Sequence, residues 1–84
     1  MWRVEYAPYN SVNVFFRKRL ARFFEQHLKR VEGVTFCFVI DEYHIRLIFS
    51  AAFEKEEMIE NVTNCLTEIF AGGEFFNSSL NRFR

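Results

Sequence analysis

Polar and apolar positions alternate at the start of the chain, where Arg3 and Glu5 separate Trp2, Val4 and Tyr6. A period of two marks a half-buried strand. Ala7-Pro8-Tyr9-Asn10 breaks the pattern, and Ser11 or Asn13 suits the cap of a following helix. From Val14 to Val31 the apolar residues Phe16, Leu20, Phe23, Phe24, Leu28 and Val31 recur at helical spacing, which predicts a first helix that Gly33 ends. The β-branched and aromatic run Val34 to Ile40 predicts a second strand, and the alternating Tyr43 to Phe49 a third. A second helix is predicted from Lys55 to about Phe70, with Met58, Ile59, Val62, Leu66, Ile69 and Phe70 as its buried stripe. Ala71-Gly72-Gly73 stops it, and Phe75 and Phe76 suggest a short fourth strand. No internal repeat stands out.

The predicted order is strand, helix, strand, strand, helix, strand. With right-handed crossovers, it implies an α+β, ferredoxin-like split βαβ sandwich: one antiparallel sheet with both helices on one face. The 84 residues make a single domain, 1–84, with a core over about 2–70. Reading Asp41-Glu42 as a two-residue hairpin loop sets Phe38 opposite Ile45, Phe36 opposite Leu47 and Val34 opposite Phe49 on the helix-covered side. Thr35, Cys37, Val39, His44, Arg46 and Ile48 then share the open face. The first strand is expected beside Tyr43–Phe49, so that Glu5 pairs with Arg46.

Composition narrows the class. Half of the residues are hydrophobic and twelve are Phe, which gives a 10.2 kDa chain enough apolar surface to fold. Two cysteines, Cys37 and Cys65, supply neither a disulfide scaffold nor a four-thiolate zinc site. The start of the sequence lacks a basic-then-apolar leader, and no apolar run reaches membrane-span length, so the expectation is a cytoplasmic domain. The net charge of zero hides an asymmetry: residues 1–31 hold seven basic residues and two acids, residues 32–74 two basic residues and nine acids.

Leu28-Lys29-Arg30-Val31-Glu32-Gly33-Val34 resembles the Leu-x-x-Leu-x-Gly-Val junction of heavy-metal-associated domains, where a helix runs straight into the second strand. The hairpin that follows, Phe53 and the acidic helix start Glu54-Lys55-Glu56-Glu57 are similar too. The resemblance implies the ferredoxin-like fold. It also places the family's paired metal-binding cysteines at Arg17 and Leu20, neither of which ligates a soft metal. The chain thus resembles the cysteine-free members of that family, and no metal is expected.

Candidate chemistry is sparse. Cys37 and His44 fall diagonally across the predicted hairpin, ~7–8 Å apart in such geometry, and two ligands do not make a zinc site. Glu54, Glu56, Glu57 and Glu60 are accounted for by the dipole of the second helix. Gly72-Gly73 follows a helix, whereas a phosphate loop opens one. His27 sits at the edge of an apolar stripe, and Cys65 reads as an inert helix residue. The expectation is a protein that is not an enzyme and carries no cofactor.

Two surfaces remain. The half-apolar open face of Thr35, Cys37, Val39, His44, Arg46 and Ile48 suits a protein partner or a homo-oligomer. The basic first helix, with Phe15, Lys18, Arg19 and Arg22, suits an anionic partner such as nucleic acid. Nucleic acid is disfavoured, because Trp2, Tyr6, Phe36, Phe38 and Phe49 are all expected to face the helices, which leaves no stacking platform on the sheet. The reading is a small non-catalytic protein-interaction or accessory module, a homo-oligomer or an accessory subunit, with nucleic-acid or anion binding by the first helix as the runner-up. A domain of metal homeostasis that has lost its metal site is the third alternative.

Overall fold

A computed structural model of the chain describes residues 2–72, and the predicted strand at Phe75-Phe76 lies outside them. The elements are β1 (Trp2–Ala7), β2 (Ser11–Phe16), α1 (Ala21–Leu28), β3 (Val34–Asp41), β4 (His44–Phe49) and α2 (Lys55–Gly72). The α+β class holds: one antiparallel four-stranded sheet with two helices packed together on one side. The ferredoxin-like order does not. The described residues run ββαββα, and the sheet order is β1-β2-β4-β3.

The difference lies in residues 11–28. Ser11, Asn13 and Phe15 alternate with Val12, Val14 and Phe16, and this stretch forms β2 instead of the start of a helix. Pro8 enters a three-residue turn completed by Tyr9 (φ 63°) and Asn10 (φ 55°), which sets Ala7 opposite Ser11 and Trp2 opposite Phe16. Asn tolerates the left-handed region through its short polar side chain. Tyr9 occupies it with a ring 93% exposed. β2 then pairs on its other edge with β4, so β1 and β4 are never neighbours. Glu5 accordingly pairs with Arg3 on its own strand, and the expected Glu5–Arg46 pair is absent. The helical spacing from Leu20 onward is real but short, since α1 ends at Leu28, five residues before Gly33.

The two halves are alike. Displacing residue numbers by 33 carries Val12, Val14 and Phe16 of β2 onto Ile45, Leu47 and Phe49 of β4, all six buried. It likewise carries Val4 and Tyr6 of β1 onto Cys37 and Val39 of β3. Exchanging the halves reads the strand order backwards and leaves it unchanged. Of these five correspondences only Phe16 and Phe49 keep the residue itself, which hides the repeat in the sequence.

The core joins those six side chains to Leu20, Ala21, Phe24 and Leu28 from the first half and to Met58, Val62, Leu66 and Ile69 of α2. Phe24 stacks between Phe16, at 5.1 Å, and Phe70, at 5.0 Å. The expected α2 stripe is met, with Ile59 and Phe70 at its margins. Glu57 accepts a 3.2 Å hydrogen bond from the Glu54 backbone N–H, and Glu56 and Glu57 stand in the first turn where the helix dipole favours acids.

Gly33 opens β3 at φ 96°, with its carbonyl accepting from the Ser50 N–H at 2.8 Å. A Cβ there would stand 2.9 Å from Phe49 Cδ1 and 3.0 Å from the Phe53 ring. Strain of this kind costs of order 1–3 kcal/mol. Gly33→Ala is expected to lower unfolding free energy by about 2 kcal/mol in a urea titration; an unchanged midpoint would mean that the turn relaxes freely.

Candidate interaction surface

Residues of β3 point the opposite way from the alternation expected of them. Val34 pairs with Phe49, but the next partners are Phe36 with Ile48, Cys37 with Leu47, Phe38 with Arg46 and Val39 with Ile45. An irregularity at Thr35 therefore slips the register by one residue, and a second at Ile40 slips it again, so that Asp41 faces His44 across a Glu42-Tyr43 turn. A one-residue slip turns every following side chain to the other side of the sheet. Cys37 and Val39, expected on the open face, turn to the helices and pack against the core. Phe36 and Phe38, expected in the core, are 60% and 49% exposed. Thr35 remains exposed, its Oγ1 donating to the Ile48 carbonyl at 3.1 Å. His44, Arg46 and Ile48 stand on the open face as expected.

The strand registers order this face in rows. Glu5, Asn13, Arg46 and Phe38 lie across its middle, flanked on one side by Ser11, Ile48 and Phe36 and on the other by Arg3, Phe15, His44 and Asp41. Three members of the last row, Arg3, Phe15 and His44, form a stack. The Arg3 guanidinium lies 4.6 Å from the Phe15 centroid, and Phe15 stacks on His44 at 4.4 Å. Asn13 Oδ1 accepts from His44 Nε2–H and from Arg46 Nε–H, both at 3.0 Å. Burial and the neighbouring Arg46 charge push the His44 pKa down. Phe36 and Phe38 stack at 6.0 Å along β3, which is an edge strand.

The basic-helix surface is divided among three elements. Phe15 lies on β2, Lys18 and Arg19 in the turn that follows, and Arg22 on α1. Arg19 is bound to Glu42, with Nε at 2.9 Å, and that pairing pushes its pKa up. Arg17 is exposed in the same turn and Leu20 is buried, so neither of the positions set by the resemblance offers a ligand. Among the described residues no three His, Cys, Asp or Glu side chains gather as a metal site. Cys37 and His44 lie on opposite sides of the sheet, and burial pushes the Cys37 thiol up to about 11. Cys65 is half-buried beside the His27 carbonyl, and burial raises its pKa too. No helix among the described residues is long and apolar enough to cross a membrane. Comparison with protein families, curated proteins and solved structures finds no match to the chain.

The inverted face has two measurable consequences. Phe38→Lys is expected to leave stability within about 0.5 kcal/mol, as an exposed site does. Val39→Lys should cost about 1–3 kcal/mol, because it directs an ammonium at the core. The reverse ranking in chemical denaturation would restore the unslipped register.

A thiol held at about 11, above its ordinary 9.0, favours the protonated, folded form. Its stabilising contribution is complete below pH 9 and is lost as pH rises from 9 to 11. Alkylation of Cys37 at pH 8 should run at least about tenfold slower than that of a free cysteine peptide. Equal rates would show the thiol to be open to solvent.

Proposed function

We propose that the chain is a non-catalytic protein-interaction module that self-associates through β3 and the adjoining part of the open sheet face. The observation that carries this reading is the stacked pair Phe36 and Phe38, exposed on an edge strand that bears no charged side chain from Val34 to Ile40. A long apolar edge is the template on which another strand adds, and most proteins blunt it with charge or Pro. β1, the other edge, carries Arg3 and Glu5 and ends at Pro8. The two irregularities of β3 bracket a regular segment, Phe36 to Val39, whose outer edge is unpaired among the described residues. This segment is self-complementary. If Cys37 meets its own symmetry mate in antiparallel pairing, Phe36 of one copy stands opposite Phe38 of the other, twice, with no like charges opposed. Aromatic pairs of this kind contribute about 0.5–1.5 kcal/mol each beyond burial.

The test is sedimentation equilibrium over roughly 5–200 μM, where dimers of standard affinity separate from monomers. A dimer is expected, and Phe38→Lys should weaken it at least tenfold while the thermal midpoint, read well below the dissociation constant of the unsubstituted dimer, stays put. A 10.2 kDa monomer throughout, or a dimer indifferent to Phe38→Lys, overturns the reading.

Arg3, Phe15, His44 and Arg46 favour a second reading, single-stranded nucleic acid on the open face, since stacked aromatics beside arginines are how sheets hold bases. It ranks lower because Arg3 is neutralised by Glu5 and Arg46 is held by Asn13. Fluorescence anisotropy with a 15-nucleotide oligo-dT or oligo-U at ~150 mM salt is expected to show no submicromolar binding. Tight binding that falls with salt by about 0.7 per phosphate contact on a log–log plot would promote it.

A further inference from the structure

The helix side of the sheet is not fully covered. α1 packs on β3 and β4, and α2 lies against β1, the edge strand. Tyr6 is 44% exposed there, although its side chain is on the side where Val12, Val14, Ile45 and Leu47 are fully buried. The result is a groove of about 680 Å³ between an edge strand and a helix, with Val4, Tyr6 and Ile59 among its lining residues. Lys55 reaches over the Tyr6 ring at 5.3 Å, and Glu56 and Glu60 of α2 also line the groove. Among the described residues nothing pairs with the outer edge of β1, so backbone donors and acceptors run along the groove's open side.

An edge strand beside a helix, with an apolar trough between them, is the geometry that receives an extended peptide by strand addition. We infer that the β1–α2 groove binds an extended peptide segment of a separate protein, added to β1 as a fifth strand. Its side chains on the helix side alternate as apolar, apolar, basic. The apolar pair meets Val4, Tyr6 and Ile59. The basic residue answers Glu56 and Glu60, two acids against the single Lys55, whose ammonium already lies over Tyr6. Side chains at the intervening positions come out beside Arg3 and Glu5 on the opposite face, where polar groups are tolerated. The site is separate from the β3 edge, so it stands or falls independently of self-association.

The probe is acetyl-Val-Thr-Phe-Thr-Arg-Thr-amide, titrated into the full ¹⁵N-labelled chain. Amide shifts confined to β1 and to residues 55–64 of α2 are expected. Glu60→Lys, an exposed substitution, should weaken binding at least fivefold, and so should Glu in place of Arg in the peptide. N-methylating alternate peptide amides distinguishes strand addition from side-chain contact alone: one set should weaken binding at least tenfold and the other should leave it unchanged. Equal effects of the two sets, shifts at β3 instead of β1, or no shifts up to 1 mM peptide would each overturn the proposal. Residues 73–84 filling the groove would also leave the peptide without effect, and would overturn it as a site for a separate partner.

Discussion

Val12 lies opposite Leu47 and Val14 opposite Ile45 where β2 meets β4, and none of the four is touched by solvent. Each hairpin alone is a two-stranded ribbon, which is marginal in water. Joined along this seam they make a sheet wide enough to carry two helices, and the seam sets its strand order. Because β2 occupies the place beside β4, β1 is pushed to one edge and β3 is left at the other. Both edges, and the rows of side chains on the face away from the helices, follow from that pairing. The apolar side chains of the seam also form the floor on which Phe24, Leu28, Met58, Val62 and Leu66 pack.

Much of this was legible in the residues. The alternation of Trp2–Tyr6, the β-branched and aromatic run from Val34, the alternation of Tyr43–Phe49 and the stripe of Met58, Val62, Leu66 and Ile69 each correspond to an observed element. Residues 11–16 are ambiguous in the sequence because two periods overlap there. Phe16 and Leu20 continue backwards the spacing of Phe23, Phe24 and Leu28, while Val12, Val14 and Phe16 alternate. Short apolar runs do not decide between those periods. The strict polar–apolar alternation across Ser11, Val12, Asn13 and Val14, directly after a Pro-containing turn, was the available signal.

The facing of β3 was less accessible. In VTFCFVI every residue is apolar or small, so neither parity is marked by charge and both facings satisfy the pattern. The slip at Thr35 decides between them, and a single unpaired residue has no strong sequence signature. Cys37 and Val39 pack against the core on the side where α1 lies on β3, and Phe36 and Phe38 are left to the outside. The candidate surface therefore lies on the expected strands, but Cys37 and Val39 belong to the other side of the sheet and Phe36 and Phe38 take their place. His44, Arg46 and Ile48, on the regular partner strand, were placed correctly.

The seam also has an entropic side. The turn at Pro8–Asn10 and the turn at Glu42-Tyr43 close loops of two or three residues, whereas the seam pairs residues 11–15 with residues 44–48, some thirty positions further along. Closing a loop of thirty residues costs roughly 2 kcal/mol more than closing one of three. Loop-closure entropy is thus concentrated in one event, the meeting of two locally formed hairpins. Until that event, Val12, Val14, Ile45 and Leu47 sit on unpaired edges. During folding, then, the chain presents twice as many adhesive strands as it does when folded, and the inner two carry Val12, Val14, Ile45 and Leu47, which end fully buried.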